Sequence, residues 1–329
     1  MKRLRLPRWL SVFLLSTTGI YLINASFLAR PIGIQPMLVA HRGLAQNFDR
    51  NGLMNDTCTA ARMLPASHEY LENTIASMQA AFDYGADAVE LDIHPTQDGH
   101  FAVFHDWTLD CRTNGTGVTR EHTLAHLQSL DIGYGYTADS GQTYPFRGRG
   151  VGLMPSLDEV LATFPERQLI INIKSNDPEE GILLADSLAR LPRDRRRQIR
   201  VYGGKRPVAI IREQLPEIQT LWPRQLKQCL IRYIAVGWTG YIPHACKHSM
   251  LMIPINYVSW LWGWPNRFLQ RMQRVNTSIF LVGDYQGEGF SRGLDDIERI
   301  QTLPDDYAGG IWTDRIDRVG PTIKQDRNR

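Results

Sequence analysis

The chain has 329 residues, 43% of them hydrophobic and 22% charged, with a formal net charge of +3. This composition excludes a disordered or fibrous protein and suffices for the core of one α/β barrel, which takes about 250 residues. The small positive balance lies partly in Lys2, Arg3, Arg5 and Arg8 and partly in a basic tail over 321–329, and gives no case for a nucleic-acid partner.

Residues 9–29 form an uncharged run of 21 residues behind the basic cluster. About 20 apolar residues span a bilayer. The basic flank then stays in the cytoplasm, so the chain beyond residue 30 is expected on the periplasmic or extracellular side, with segment 1–30 as a transmembrane anchor. A signal peptide cleaved near Ala25 and Ser26, releasing a secreted protein, stays open as the alternative.

From 31 to 320, short apolar runs alternate with longer amphipathic ones, the pattern of βα units in a parallel sheet. Strands are expected at 37–40, 87–93, 101–104, 168–174, 198–202, 217–222, 278–282 and 310–313. Helices are expected at 73–84, 156–163, 179–191, 207–214 and 293–302, the second opening on Pro155-Ser156 with Asp158 and Glu159 in its first turn. Eight strands with helices between them predict a (β/α)8 TIM barrel rather than an open doubly wound sheet. Three longer stretches, 44–70, 107–154 and 223–274, each follow a strand. They are expected as inserts on the carboxyl-end face, where barrel enzymes keep their chemistry. No glycine-rich nucleotide loop is present.

Polar clusters fall at four of these strand ends. His41-Arg42-Gly43 follows the first, combining a proton-exchanging imidazole, a guanidinium that grips phosphate through two hydrogen bonds, and a glycine that lets backbone approach a ligand. On the second, alternation sends Glu90, Asp92 and His94 to one face and Val89, Leu91 and Ile93 to the other. Two inward carboxylates repel unless a cation lies between them, and hard oxygen ligands suit one divalent cation, Mg²⁺ or Ca²⁺. His105-Asp106 and Asn172-Ile173-Lys174 close two more strands.

These clusters, with Glu72-Asn73-Thr74 opening a helix and the late Trp312-Thr313-Asp314, make the chain resemble the glycerophosphodiester phosphodiesterase family across most of residues 37–314. The resemblance implies a TIM barrel that hydrolyses glycerophosphodiesters or lysophospholipids. The products would be an alcohol and a glycerol phosphate or lysophosphatidic acid. It implies His41 and His105 as the acid/base pair, Arg42 and Lys174 as phosphate ligands, Glu90, Asp92 and Asn172 as metal ligands, and Glu72, His94 and Trp312 supporting the site or lining its pocket. Asn172 is a departure, since the family usually has a glutamate there; a binding protein that holds phospholipid head groups is the alternative it keeps open.

The segment 223–274 carries Trp238, Trp260, Trp262 and Trp264 and is expected as an aromatic cap, either packed over the barrel or receiving an acyl chain or the bilayer. Its length resembles that of the membrane-attached, lysophospholipase-D-like branch of the family. Four cysteines in an exported chain are expected to form two disulfides, Cys58 with Cys111 and Cys229 with Cys246, the first pair lying in inserts on one barrel face.

Overall fold

The structure is a computed structural model that describes residues 7–54, 57–287 and 292–327. Lys2, Arg3 and Arg5 and the last two residues of the basic tail lie outside the described residues.

Among the described residues nine strands form: β1 (Met37–His41), β2 (Ala88–Pro95), β3 (Phe101–Val103), β4 (Gln168–Ile173), β5 (Ile199–Gly203), β6 (Gln219–Leu221), β7 (Ser249–Pro254), β8 (Thr277–Val282) and β9 (Gly310–Thr313). Eight of them, β1-β2-β4-β5-β6-β7-β8-β9, are parallel, and β9 pairs with β1 to close a barrel. The helices are α1 (Arg8–Asn24), α2 (Ile75–Asp83), α3 (Leu124–Ser129), α4 (Leu157–Thr163), α5 (Pro178–Ala189), α6 (Arg193–Arg196), α7 (Lys205–Gln214), α8 (Pro223–Val236), α9 (Asn266–Arg274), α10 (Ile297–Gln301) and α11 (Ile316–Arg327).

The expected number of staves is right, but one of them is exchanged. The run at 101–104 pairs antiparallel with β2, because only a tight turn through Gly99 (φ +78°) separates them and a parallel partner needs a crossover of a dozen or more residues. The missing stave is β7, inside the stretch expected as an aromatic cap. Met250, Leu251 and Ile253 are fully buried there. Residues 223–274 are therefore no insert: they hold α8, a barrel strand and α9, and strand pairing with β8 runs the whole length of β7. The other two inserts stand: 44–70 is irregular apart from a 3-10 turn over Ala60–Arg62, and 107–154 holds α3 and a 3-10 turn over Thr119–Glu121.

Local chemistry fixes the helix starts. Thr74 and Ser77 form a reciprocal capping box on α2, and Ser156 and Glu159 do the same on α4, satisfying amides that have no intrahelical partner. Asp177 caps α5 with Pro178 in its first turn. At the carboxyl end of the chain most of the expected tail is helical, in α11.

The apolar run at 9–29 does not form one continuous helix. It stops at Asn24, whose side chain donates to Ile20 O and Trp238 O (both 2.8 Å), and a 3-10 turn over Ser26–Leu28 then packs beside α9. Among the described residues no helix is long and apolar enough to cross a membrane.

Both expected disulfides are present, Cys58–Cys111 joining the two mouth inserts and Cys229–Cys246 joining α8 to the approach to β7. Beside the latter, β6 and β7 meet at a single register pair, Thr220 with Ser249, supplemented by Ser249 Oγ donating to Thr220 O at 2.7 Å.

Leu251→Ala is expected to lower unfolding free energy by about 2–5 kcal/mol, as for a fully packed core leucine. Urea denaturation measures it; a change within about 0.5 kcal/mol is surface behaviour and would remove β7 from the core.

Candidate active site

His41 ends β1, and the chain turns at once through two residues in the left-handed region, Arg42 (φ +61°) and Gly43 (φ +78°). A Cβ on Gly43 would lie 2.6 Å from Ser77 Oγ and 2.8 Å from the Ser77 carbonyl carbon, so glycine alone fits against the start of α2. Left-handed backbone is uncommon for arginine and persists where neighbours fix it. Here Arg42 N donates to Glu90 O and Arg42 O accepts from Asn73 N, each at 2.9 Å. Asn73, itself at φ +60°, spans to β2: its Nδ2 donates to Asp92 Oδ2 and its Oδ1 accepts from Asp92 N, both at 3.2 Å. The triplet at 72–74 thus locks the turn at 41–43 to Asp92 on β2.

Strand register brings the remaining groups together: His41 lies beside Glu90, Asp92 beside Asn172, and Asn172 beside Tyr202. Glu90 and Asp92 are fully buried, as alternation predicts. Asp92 is saturated with donors. Asn172 Nδ2 donates to its Oδ1 at 2.8 Å, Lys174 Nζ stands 3.4 Å from the same oxygen, and Arg42 Nε lies 3.1 Å from Oδ2. Glu90 has weaker company: Tyr202 OH donates to Oε1 at 2.7 Å, Arg42 N approaches Oε2 at 3.3 Å, and His41 Nε2 lies 3.7 Å away. Burial and the neighbouring Asp92 charge push the Glu90 carboxyl up, whereas burial acting on Asp92 is outweighed by Lys174 and Arg42, which hold it well below the usual range.

The two histidines are each oriented by a carboxylate but are poised differently. His41 Nδ1 meets Asp314 Oδ1 at 2.5 Å, and its ring packs 5.4 Å from Trp312. Burial and Arg42 lower His41, yet Glu90 and Asp314 prevail and raise it above 6.5. His105 Nδ1 meets Asp106 Oδ1 at 2.7 Å, but burial and Arg42 bring it down to about 4. Both keep a small exposed fraction at the mouth. His94 sits beneath His105, its Nε2 at 3.2 Å from His105 O, buried and edge-on to Trp107 at 5.3 Å.

Glu72 sits between Arg42 Nη1 (2.9 Å) and Arg112 Nη1 (3.0 Å), while Arg112 Nε donates to Asp106 Oδ2 at 2.8 Å. All ten residues singled out from the sequence therefore meet at one end of the barrel. The structure adds four that were not singled out. Arg112 joins Glu72 to Asp106; Tyr202 holds Glu90; Arg50 Nη2 donates to Asp314 Oδ2 at 2.6 Å; and Asp295 Oδ1 accepts from Thr313 Oγ1 and Asp314 N, both at 2.7 Å. Arg112 had one available signal, its place next to Cys111 in the expected disulfide.

Among the described residues no three His, Cys, Asp or Glu side chains are grouped to hold a metal ion. The set at Glu90, Asp92 and Asn172 still has the right donor chemistry for a hard divalent cation: two buried carboxylates, one raised by the other's charge, and an amide whose oxygen replaces its nitrogen when the group turns over.

The sequence model of the Glycerophosphoryl diester phosphodiesterase family matches residues 41–210. A glycerophosphodiester phosphodiesterase of Caldanaerobacter subterraneus is 38% identical over 113 residues, 34% of this chain and 42% of that protein. The chain spans about two fifths of the length of such curated relatives. Among solved structures, the glycerophosphoryl diester phosphodiesterase domain of a Mycobacterium tuberculosis protein superposes with TM-score 0.62 at 15% identity, covering 89% of this chain and 99% of that one. An Oleispira antarctica phosphodiesterase in complex with the product sn-glycerol-3-phosphate gives 0.55 at 16%, covering 90% and 98%. With the motif residues gathered at one barrel mouth and the family match running over more than half of the chain from His41 onward, the chain belongs to the glycerophosphoryl diester phosphodiesterase family.

Proposed function

We propose that the chain hydrolyses glycerophosphodiesters, with His105 as general base and His41 as general acid. The observation that carries this reading is the opposite bias of two carboxylate-oriented histidines at one mouth, His41 raised and His105 lowered to about 4. With Nδ1 of His105 donating to Asp106, its Nε2 is left as a proton acceptor near neutral pH. It takes the proton of the attacking hydroxyl or water as the new P–O bond forms. His41, held protonated by Glu90 and Asp314, gives its proton to the leaving alkoxide as the second P–O bond breaks. Arg42 and Lys174 would neutralise the phosphodiester oxygens. Glu90, Asp92 and Asn172 would hold Mg²⁺ or Ca²⁺, which would supply further neutralisation of phosphoryl charge. The sn-glycerol-3-phosphate held by the Oleispira antarctica protein is the kind of product this reaction releases.

A lysophospholipid is the second substrate reading. Exposed Tyr257 and Trp260 beyond the carboxyl end of β7 favour it, as they offer an acyl chain apolar surface near the mouth. Pairing of all four cysteines supports an exported chain, and the uncovered apolar surface of α1 supports attachment to a membrane on that side.

His41→Ala and His105→Ala are each expected to lower kcat about 10²–10⁴-fold with the fold retained. Steady-state kinetics and circular dichroism check this, and near-normal turnover in either variant removes that residue from the reaction. At saturating Mg²⁺ or Ca²⁺, which keeps the raised Glu90 carboxyl ionised, kcat/KM is expected to hold as pH falls through 6.5 and to drop near 4, where His105 protonates; an acid limb at 6.5 under those conditions contradicts the assignment.

Arg112→Ala leaves Glu72 with Arg42 alone and Asp106 with His105 alone, so a loss of about 3–5 kcal/mol in stability is expected alongside lost activity. Chemical denaturation reads the first effect; wild-type stability would mean the two carboxylates are solvated.

Asn172→Glu adds one negative charge beside Asp92. The Mg²⁺ or Ca²⁺ concentration for half-maximal activity is expected to fall in the variant, and an unchanged midpoint would exclude Asn172 from the ion's surroundings.

A further inference from the structure

α1 leaves the barrel with none of its residues buried. Trp9, Val12, Phe13, Leu15 and Tyr21 are each more than 60% exposed or at 60%. At 100° per residue these positions point to all sides. A partner helix would require one apolar stripe, whereas an apolar helix bare all round suits hydrocarbon. Its 17 residues reach about 25 Å, most of a hydrocarbon core about 30 Å thick.

The base of α1 is fixed rather than tethered. The buried guanidinium of Arg271 on α9 donates to Ile23 O (3.0 Å) and Asn24 Oδ1 (3.0 Å) at the helix end, to Tyr233 OH (2.9 Å) on α8, and to Gly237 O (3.0 Å) beyond it. Asn24 also donates to Trp238 O, and Asn266 N donates to Ser26 Oγ at 2.9 Å. Asn266 opens α9 on the carboxyl-end side of β7, the side of His41 and His105. At this base lie Trp238 (40% exposed), whose carbonyl accepts from Asn24, and Trp262 (39%), whose carbonyl accepts from Arg271 and whose indole donates to Ile234 O; Trp260 (65%) precedes Trp262 by two residues. The ring of Tyr257 lies 6.3 Å from that of Tyr285, tilted by 55°, and Tyr285 follows the carboxyl end of β8.

We propose that α1 and the exposed rim of Trp238, Tyr257, Trp260 and Trp262 form one docking surface for a phospholipid bilayer, with Arg271 setting the angle at which the barrel mouth meets the lipid. This rests on the reading of a membrane-attached hydrolase and deepens it. Tryptophan and tyrosine at the root of an all-apolar helix match the headgroup level, where amphipathic rings reside. In sequence, Lys2, Arg3, Arg5 and Arg8 adjoin the other end of the helix, a charge complement for anionic headgroups. A bilayer accounts for both ends of α1 and for the exposure of its apolar residues; a second copy accounts for neither the aromatic root nor the basic end.

The test uses the full chain labelled with 5-fluorotryptophan and bound to phosphatidylcholine and phosphatidylglycerol vesicles carrying a gadolinium headgroup lipid. Flotation with the vesicles and broadening of the Trp238, Trp260 and Trp262 fluorine resonances are expected, with buried Trp312 spared. Flotation without that broadening would leave α1 as a bare tether and overturn the docking surface. Failure to float, with a dimer in solution, would assign α1 to a second copy and overturn it as well. Asn24→Ala cuts one link at the root without touching the core; it is expected to keep flotation and lose most of the rim broadening, and full broadening would overturn the orienting role of Arg271. Turnover of water-soluble glycerophosphocholine by the same samples reports separately on the hydrolase reading.

Discussion

A chain of alternating buried charges runs across the barrel mouth, and the arrangement of every other group at the site depends on it. Lys174 and Arg42 face Asp92, Arg42 continues to Glu72, Glu72 to Arg112, Arg112 to Asp106, and Asp106 to the ring of His105. Charges taken out of water are tolerated when each is paired and hydrogen-bonded, and each link here is supplied by a different part of the fold. Arg42 comes from a left-handed turn, Glu72 from the approach to α2, and Arg112 from an insert tied by the Cys58–Cys111 bond. Removing one member leaves each of its neighbours with one partner in place of two, so the series that ends on the ring of His105 depends on every link.

Glu90 stands outside that balance. Three acids and three bases neutralise one another along the chain, whereas Glu90 has a phenol, a backbone amide and the edge of His41. It is an anion without a cation of its own in that series: burial and Asp92 raise its carboxyl, and its charge together with Asp314 raises the imidazole of His41. A glutamate at 172 would add a second such anion, while asparagine leaves the pocket closer to neutral and uses its amide to donate to Asp92. The substitution thus redistributes charge toward a site that holds together through its own cations.

The strand-end motifs were legible in the sequence because each is local: three consecutive residues, an alternating strand, a helix start. Glu90, Asp92 and His94 share a face through the pleat alone, and a short linear pattern reports that directly. Arg112, Tyr202 and Arg50 were not legible, since each meets a site residue through tertiary contact 30 or more positions away, Arg112 with Glu72, Tyr202 with Glu90 and Arg50 with Asp314, and no strand-end motif includes them. β7 was hidden for another reason. Its apolar run is short, lies among tryptophans and prolines, and carries no polar cluster at its end, so composition spoke for a cap. The stretch at 101–104 had the right pattern for a stave, and only the brevity of the turn before it marks an antiparallel partner.

The barrel is a hoop whose joints are unequal. Most neighbouring staves share several register pairs, as β2 and β4 do along six positions, while β6 and β7 share one. The covalent bond from Cys229 to Cys246 crosses beside that joint, doing there what a longer ladder does elsewhere. Under mechanical or thermal stress the cylinder therefore has a preferred line of tearing on the side remote from β1 and β2, the staves that carry His41, Glu90 and Asp92. Reducing surroundings would weaken the hoop along this line, so the redox state of the compartment acts on the integrity of the barrel at a distance from its chemistry.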